Sequence, residues 1–527
     1  MVTTPDKPSR WIPGRYPEPG TSAIADAIRR RRGERGLTAL DGALLHVEPV
    51  AEGWNTLLGA VRMKGNVPGD VRELMILRVA AINGAAFEWI HHEIVGRQMG
   101  LTTAQLYVIR DISAPLSSPG GGGSTILSPL QNAALVFADE STRDVCVSVK
   151  VTESLREELK KWVVMTMNGE AEEVEKKMDD LFVECALIVA SYNMVSRFLV
   201  SVDVAGKRDE DVPWPLTHTE EFIPLPTTEN PTHKIHTVTL KTSDSDSAPW
   251  IVFANSLLTD FKLWSLVVPY FISKGYNILL LSQRGHGKST LPPSSSSSHP
   301  AVTIPFLASD IHNILHHLKI PTPIKSLIGV SQGGATTLAF AAQFPQEVES
   351  IVVCDTAACT PTGNNVAWEE RIRLVNGDQL GGMKRLADVT VPRWFPLGSK
   401  ISSSSTTEEK GGGRRRSRAE WISNMIKETS VEGFEAGARA LSSYDTLSLG
   451  LLDSPIKHIL LLAGSLDGNG KVGSSMKKLS EDWNEKRLEG RSLREVEFVL
   501  VEGSGHLPMV DEPEAFCEAV DRFLRSF

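Results

Sequence analysis

Gly329-Val330-Ser331-Gln332-Gly333 lies between a largely apolar run, Ile324 to Val330, and a helix-like stretch that begins near Ala335. In that setting the pentapeptide reads as a nucleophile elbow, a tight strand-to-helix turn that holds a serine clear of the sheet. Both glycines suit the crowding of helix against strand, where a side chain would not fit. The string by itself is weak, because Gly and Ser are common and most matches fall in loops. Its meaning depends on an acid and a base elsewhere in the chain.

Both follow, in order. The run Ile459 to Gly464 reads as a buried strand and delivers Asp467 just past its end. Glu497 to Val501 reads as another strand, followed by Gly503-Ser504-Gly505-His506 and a helical stretch from Pro513 to Leu524. Taken singly, Asp467 is a solvated loop carboxylate and His506 a turn histidine. Taken together, in the order serine, acid, histidine and each after a strand, they make a triad. His506 takes the Ser331 proton, Asp467 fixes the imidazole tautomer, and an acyl-enzyme forms and is hydrolysed. The oxyanion needs two backbone donors. We assign them to Gln332 and to Leu257, in the loop Phe253 to Leu258 after the strand Trp250 to Phe253. Arg284-Gly285-His286-Gly287 follows the strand Tyr276 to Leu281, and its histidine reads as structural.

Asn255-Ser256-Leu257-Leu258-Thr259-Asp260, with Trp264 after it, resembles the oxyanion loop of the 3-oxoadipate enol-lactonases. The resemblance extends over about residues 230 to 527 and into the cap, through Asp355-Thr356-Ala357, Trp368-Glu369-Glu370-Arg371-Ile372 and Arg393-Trp394-Phe395. It implies an α/β hydrolase fold with a helical cap at about residues 360 to 450. Leu258 departs from the family, which has glycine there. The substrates of such enzymes are anionic, so Arg371 and Arg393, with Trp394 beside them, are the expected substrate-binding residues of this half.

Upstream, Asp70 to Met99 reads as a helical hairpin broken at Asn83-Gly84, and Leu130 to Thr142, Glu153 to Trp162 and Leu181 to Leu199 are helical in pattern. Glu88 and His92 are four apart and share a helix face. This all-α half resembles the carboxymuconolactone decarboxylase and alkylhydroperoxidase D superfamily over about residues 40 to 205. The carrying segments are Arg72 to Arg78, Glu88 to His92 and Tyr192 to Arg197. Peroxidase members have two cysteines where this chain has Ala85 and Glu88, so thiol peroxidase chemistry is excluded at this site. Glu73, Glu88 and His92 remain as the implied catalytic set, with His92 as the acid and the glutamates tuning or orienting it. The bland reading is an interhelical hydrogen-bond network. Arg197 and Arg78 are candidates to hold a substrate carboxylate. Adjacent His91 and His92 point apart on a helix, His312, His316 and His317 read as surface residues, and neither half calls for a metal or a cofactor.

With 527 residues the chain is too long for one ordinary domain. We expect domain 1 at 1–205, a linker at 206–222 and the hydrolase at 223–527. The composition, 41% hydrophobic and 23% charged, is that of a globular protein, and no apolar run reads as membrane-spanning. A net charge of -9 gives no electrostatic basis for nucleic-acid binding. Met1 to Arg15 lacks the apolar core of a secretory signal, and the five cysteines show no zinc or redox spacing, which suits the cytoplasm. Three low-complexity stretches, Ser117 to Thr125, Pro292 to Pro300 and Gly398 to Arg418, read as mobile insertions, the last carrying the basic run Arg414 to Arg416.

The expected whole is a bifunctional enzyme of aromatic (protocatechuate) catabolism: a carboxymuconolactone decarboxylase followed by a 3-oxoadipate enol-lactone hydrolase. Its partners are small lactones and carboxylates, with homo-oligomerisation through the helical domain. Two alternatives stand beside it. One is hydrolysis of another ester or lactone, with a diverged lyase. The other gives the helical half no chemistry, only a scaffold for assembly.

Overall fold

The computed structural model describes residues 7–527 apart from 117–125, 167–168, 226–232, 243–246, 292–301, 378–380, 404–416 and 489–493. The first two low-complexity stretches and the basic run Arg414 to Arg416 therefore lie outside the described residues, as does most of the third stretch. The chain divides into two compact units at Pro215/Leu216.

The first unit is helical: α1 Ala23–Arg32, α2 Ala39–Leu44, α3 Glu48–Met63, α4 Gly69–Ile82, α5 Ala86–Gln98, α6 Thr103–Arg110, α7 Pro129–Asp144, α8 Val149–Thr166 and α9 Ala171–Ser201. Helix α4 carries buried residues on every side, from Val71 to Ala81, and packs against α5, α6, α7 and α9. A helix without a polar face can only sit at the centre of its domain. It turns into α5 at Gly84, whose φ of 65° favours glycine. The cap of α7 is local chemistry: the Ser128 side chain accepts from the Gln131 N–H while Gln131 accepts from the Ser128 N–H. By length and composition α9 could cross a membrane. Its apolar stretch is instead accounted for by the core, where Leu181, Cys185, Ile188, Val189 and Tyr192 are buried.

The second unit is built on an eight-stranded sheet, β1 Thr217–Pro224, β2 Lys234–Lys241, β3 Trp250–Ala254, β4 Asn277–Leu281, β5 Ile324–Val330, β6 Val348–Cys354, β7 His458–Gly464 and β8 Glu497–Val501, in the order β1-β2-β4-β3-β5-β6-β7-β8. β1 and β2 pair antiparallel, and β3 to β8 run parallel. Because β1 begins at Thr217, the expected linker 206–222 is in part strand; its polar, exposed face conceals the strand period. Around the sheet lie α10 Val268–Ser273, α11 Ile304–His317, α12 Gln332–Gln343, α18 Lys471–Leu488, α19 Pro508–Asp511 and α20 Pro513–Leu524. Between β6 and β7 stands a cap of α13 Asn364–Asn376, α14 Gly382–Trp394, α15 Lys400–Ser403, α16 Arg418–Glu428 and α17 Val431–Ser442. A parallel sheet buried on both faces demands apolar strands, and β3, β4 and β7 supply them.

Candidate active sites of the two units

Ser331 caps α12 directly after β5 with φ 55° and ψ −115°, a conformation rare for a residue with a side chain. The elbow is held by the packing of its glycines. A Cβ on Gly329 would collide with the Gly333 carbonyl, and one on Gly333 with the Ala254 carbonyl. The Ser331 N–H donates to Cys354 O at 2.9 Å, tying the turn to the end of β6.

Asp467 follows β7 and His506 follows β8, so both lie with Ser331 at the carboxyl ends of the parallel strands. His506 Nδ1 is 2.7 Å from Asp467 Oδ2. Trp394 frames the imidazole, its carbonyl accepting from the His506 N–H at 2.8 Å and its ring stacking on it at 5.5 Å. No hydrogen bond engages Ser331 Oγ among the described residues. With Nδ1 committed to Asp467, Nε2 is the nitrogen left to take a proton.

Sequence reasoning missed Asp355, which follows β6 with φ 44° and is buried. Its Oδ1 accepts from the Gly464 N–H at 2.9 Å. Carboxylate atoms of Asp355 and Asp467 and a ring nitrogen of His506 lie within 4.8 Å of one another. Burial, then the charge of Asp467, pushes the Asp355 carboxyl well above the usual range. Burial opposes ionisation of Asp467 too, but the charge and hydrogen bond of His506, and a hydrogen bond from Asp355, hold it below its usual value. Asp355 Oδ2 has no partner if both groups are ionised; a proton there makes it a donor to Asp467. The only sequence signal was Asp355 in the Asp-Thr-Ala segment, where the resembling family has asparagine.

The loop that the sequence suggests for the oxyanion, Asn255 to Leu258, is braced by His286. The neutral His286 ring has Nδ1 against Arg284 O at 2.9 Å and Nε2 accepting from the Leu258 N–H at 3.2 Å. Burial lowers its pKa to about 4, so it keeps the acceptor that this bond requires. Leu258 holds φ 72° although it is not glycine, and its side chain is buried. Gln332 donates from its side chain to Gly437 O of α17 at 2.9 Å and accepts from Gln283 at 3.1 Å, linking cap to elbow. Leu257 is buried beside them.

Arg371 stacks on Trp368 at 4.6 Å. Burial, then the charge of Arg393, lowers its pKa to about 10, so it remains a cation at neutral pH. Arg393 is lowered by desolvation and opposed by the charge of Asp467, which places the two within electrostatic reach. Neither arginine makes an ion pair among the described residues.

In the helical unit two of the expected residues, Glu73 and His92, meet. His92 Nδ1 lies 2.7 Å from Glu73 Oε2, and Arg72 Nε donates to Glu73 Oε1 at 3.2 Å. The Tyr192 ring stands edge-on to His92 at 4.9 Å. Glu88 is buried, neither carboxyl oxygen has a partner, and desolvation pushes its pKa well above the usual range. The Tyr192 hydroxyl is buried without a partner as well. Of the expected cations, Arg78 is a structural clamp. It pairs with Asp139 at 2.6 Å and donates to the carbonyls of Ile109 and Asp111. Arg197 is exposed on α9 and makes no hydrogen bond or ion pair with Glu73, Glu88 or His92. Arg62 and Arg72 instead act on Tyr192 electrostatically.

The sheet order and the strained serine turn define an α/β hydrolase, and comparison agrees: the chain belongs to the alpha/beta hydrolase fold family, which it matches over residues 249–513. Residues 48–119 match the Carboxymuconolactone decarboxylase family, so the chain fuses the two. It is similar to 3-oxoadipate enol-lactonase 2 of Acinetobacter baylyi, 29% identical over 53% of this chain and 90% of the relative. 3-oxoadipate enol-lactonase 1 of the same organism is 25% identical over 55% and 94%. Among solved structures, the enol-lactonase of Burkholderia xenovorans LB400 aligns with TM-score 0.45 and 24% identity over 56% of this chain and 97% of that one.

Proposed function

We propose that the chain carries out two consecutive steps, decarboxylation of a carboxymuconolactone in the helical unit and hydrolysis of the resulting enol-lactone to 3-oxoadipate in the second, as part of cytoplasmic protocatechuate catabolism. The observation that carries the hydrolytic half is the His506–Asp467 bond of 2.7 Å at the sheet edge that also carries Ser331. Ser331 Oγ adds to the lactone carbonyl while His506 Nε2 takes its proton. The negative oxygen meets the amides of Gln332 and Leu257. Collapse breaks the ring C–O bond as His506 gives the proton to the leaving oxygen, and the released enol becomes the ketone of the product. Water, deprotonated by His506, then frees Ser331. The cations Arg371 and Arg393, which make no ion pair among the described residues, suit a substrate carboxylate.

In the helical unit, loss of carbon dioxide leaves an electron pair that the conjugated lactone accepts as a dienolate. Carbon then needs a proton. The sequence reading gave that role to His92. The buried, unpartnered Glu88 supports a different division, in which neutral Glu88 donates and His92, oriented by Glu73, restores its proton. Purified enzyme given carboxymuconolactone should release carbon dioxide, and His92→Ala should abolish release while sparing enol-lactone hydrolysis. Wild-type protein that consumes enol-lactone but releases no carbon dioxide would remove the first activity.

A further inference from the structure

Helix α11 carries His312 and His316 one turn apart on a single face, and both rings address one carboxylate across the fold. His312 Nδ1 lies 2.8 Å and His316 Nε2 3.1 Å from the same oxygen, Oε1 of Glu347. Glu347 stands in the turn between α12 and β6. We propose that His312, His316 and Glu347 form a binding site for a divalent transition-metal ion of the zinc type, which fastens α11 to that turn.

Three features argue for a cation here beyond an ordinary surface ion pair. Two imidazole N–H groups share one acceptor oxygen, while the second, Oε2, is buried with no partner. A metal ion resolves that mismatch, because it takes a lone pair from each ring and leaves the carboxylate both of its oxygens to use. The ligands are also fixed before any ion arrives. His312 stacks on Phe344 at 4.3 Å with an interplanar angle of 5°, and the Glu347 backbone is pinned by the Phe344 carbonyl at 3.0 Å and the Ile324 N–H at 2.9 Å. The potential ligand atoms lie within 4.8 Å of one another, so modest movement of the rings brings them to the roughly 3.3 Å separations that a tetrahedral centre needs. His316 is 58% exposed, which leaves an entry path and an outer position for water.

Two imidazoles and one carboxylate favour zinc, copper or nickel over magnesium or calcium, which prefer all-oxygen shells. The site lies where β6 begins, whereas Asp355 and the elbow lie where β6 and β5 end. Its effect is therefore on stability and not on the chemistry of Ser331.

The test uses the full-length, chelator-treated protein titrated with zinc, with cobalt as a spectroscopic substitute. Wild type should bind one zinc ion that His316→Ala and Glu347→Gln do not, show visible cobalt bands of tetrahedral intensity, and gain about 3 °C or more in Tm at saturating zinc. Magnesium should give no shift, and ester hydrolysis should not change on metal removal. His316 is exposed and its replacement leaves the core intact, so a folding defect cannot mimic the result. Equal zinc binding by wild type and His316→Ala, or no binding by either, would overturn the proposal.

Discussion

Asp355 and Asp467 come from the ends of neighbouring strands and place two carboxyl groups beside one imidazole, within 4.8 Å of one another. Two such groups cannot both ionise cheaply in a buried site, so one keeps its proton. The pair divides accordingly. Asp355, the more buried, is the neutral donor, and Asp467 is the ionised partner of His506.

Asp355→Asn keeps a donor of the same shape and should retain most of kcat. Asp355→Ala removes it and leaves the Gly464 N–H unpaired, and should lower kcat about 10-fold or more with little change in KM. Steady-state kinetics of the two variants on one ester substrate decide it. Equal activity of both would show that Asp355 does not position Asp467.

Glu88→Gln separates chemistry from stability. A carboxyl whose folded pKa lies above its unfolded value contributes stability below the unfolded pKa and loses it as pH rises, because only the unfolded chain then releases its proton. Replacing Glu88 by neutral glutamine should therefore raise Tm at pH 8 relative to wild type, with a smaller gain at pH 5. Carbon dioxide release should fall about 100-fold or more. Thermal melts and a carbon dioxide assay on the same preparation check both.

The elbow, Asp467 and His506 were legible in the sequence because each is a local pattern, an apolar run followed by a turn residue. β5, β8 and α20 have the bounds that this pattern gives, and the hairpin break at Gly84 has its glycine in the left-handed region. β1 was hidden because it is a polar edge strand. The burial of Asp355, the clamp role of Arg78 and the meeting of His312 and His316 with Glu347 were not legible. Each depends on partners 31 or more residues away in sequence, such as Asp139 for Arg78, and periodicity carries no information at that range.

His286 gives the stability a pH dependence of opposite sign to that of Glu88. Its folded pKa is about 4 against an ordinary 6.5, so only the unfolded chain takes up the proton between those values. Its contribution is fully present above pH 6.5 and is lost as pH falls toward 4, amounting to roughly 3 kcal/mol. Urea melts from pH 7 to pH 4.5 should show a shallower loss in His286→Gln than in wild type, although the variant starts less stable. Parallel slopes would contradict the neutral, hydrogen-bonded ring.

Arg393→Ala should raise KM for carboxylated lactones by about 10-fold or more while leaving hydrolysis of a neutral ester nearly unchanged, since a charge-assisted bond to the carboxylate is lost and the triad is not. Comparing the two substrates on wild type and variant is sufficient. An equal effect on both would place Arg393 outside substrate recognition.

The most direct measurement is turnover of 3-oxoadipate enol-lactone by Ser331→Ala beside wild type, with far-UV circular dichroism to confirm the fold. The hydroxyl held at φ 55° should be indispensable, and kcat should fall by about a million-fold. A folded Ser331→Ala enzyme that hydrolyses the lactone within 10-fold of the wild-type rate would contradict the acyl-enzyme account.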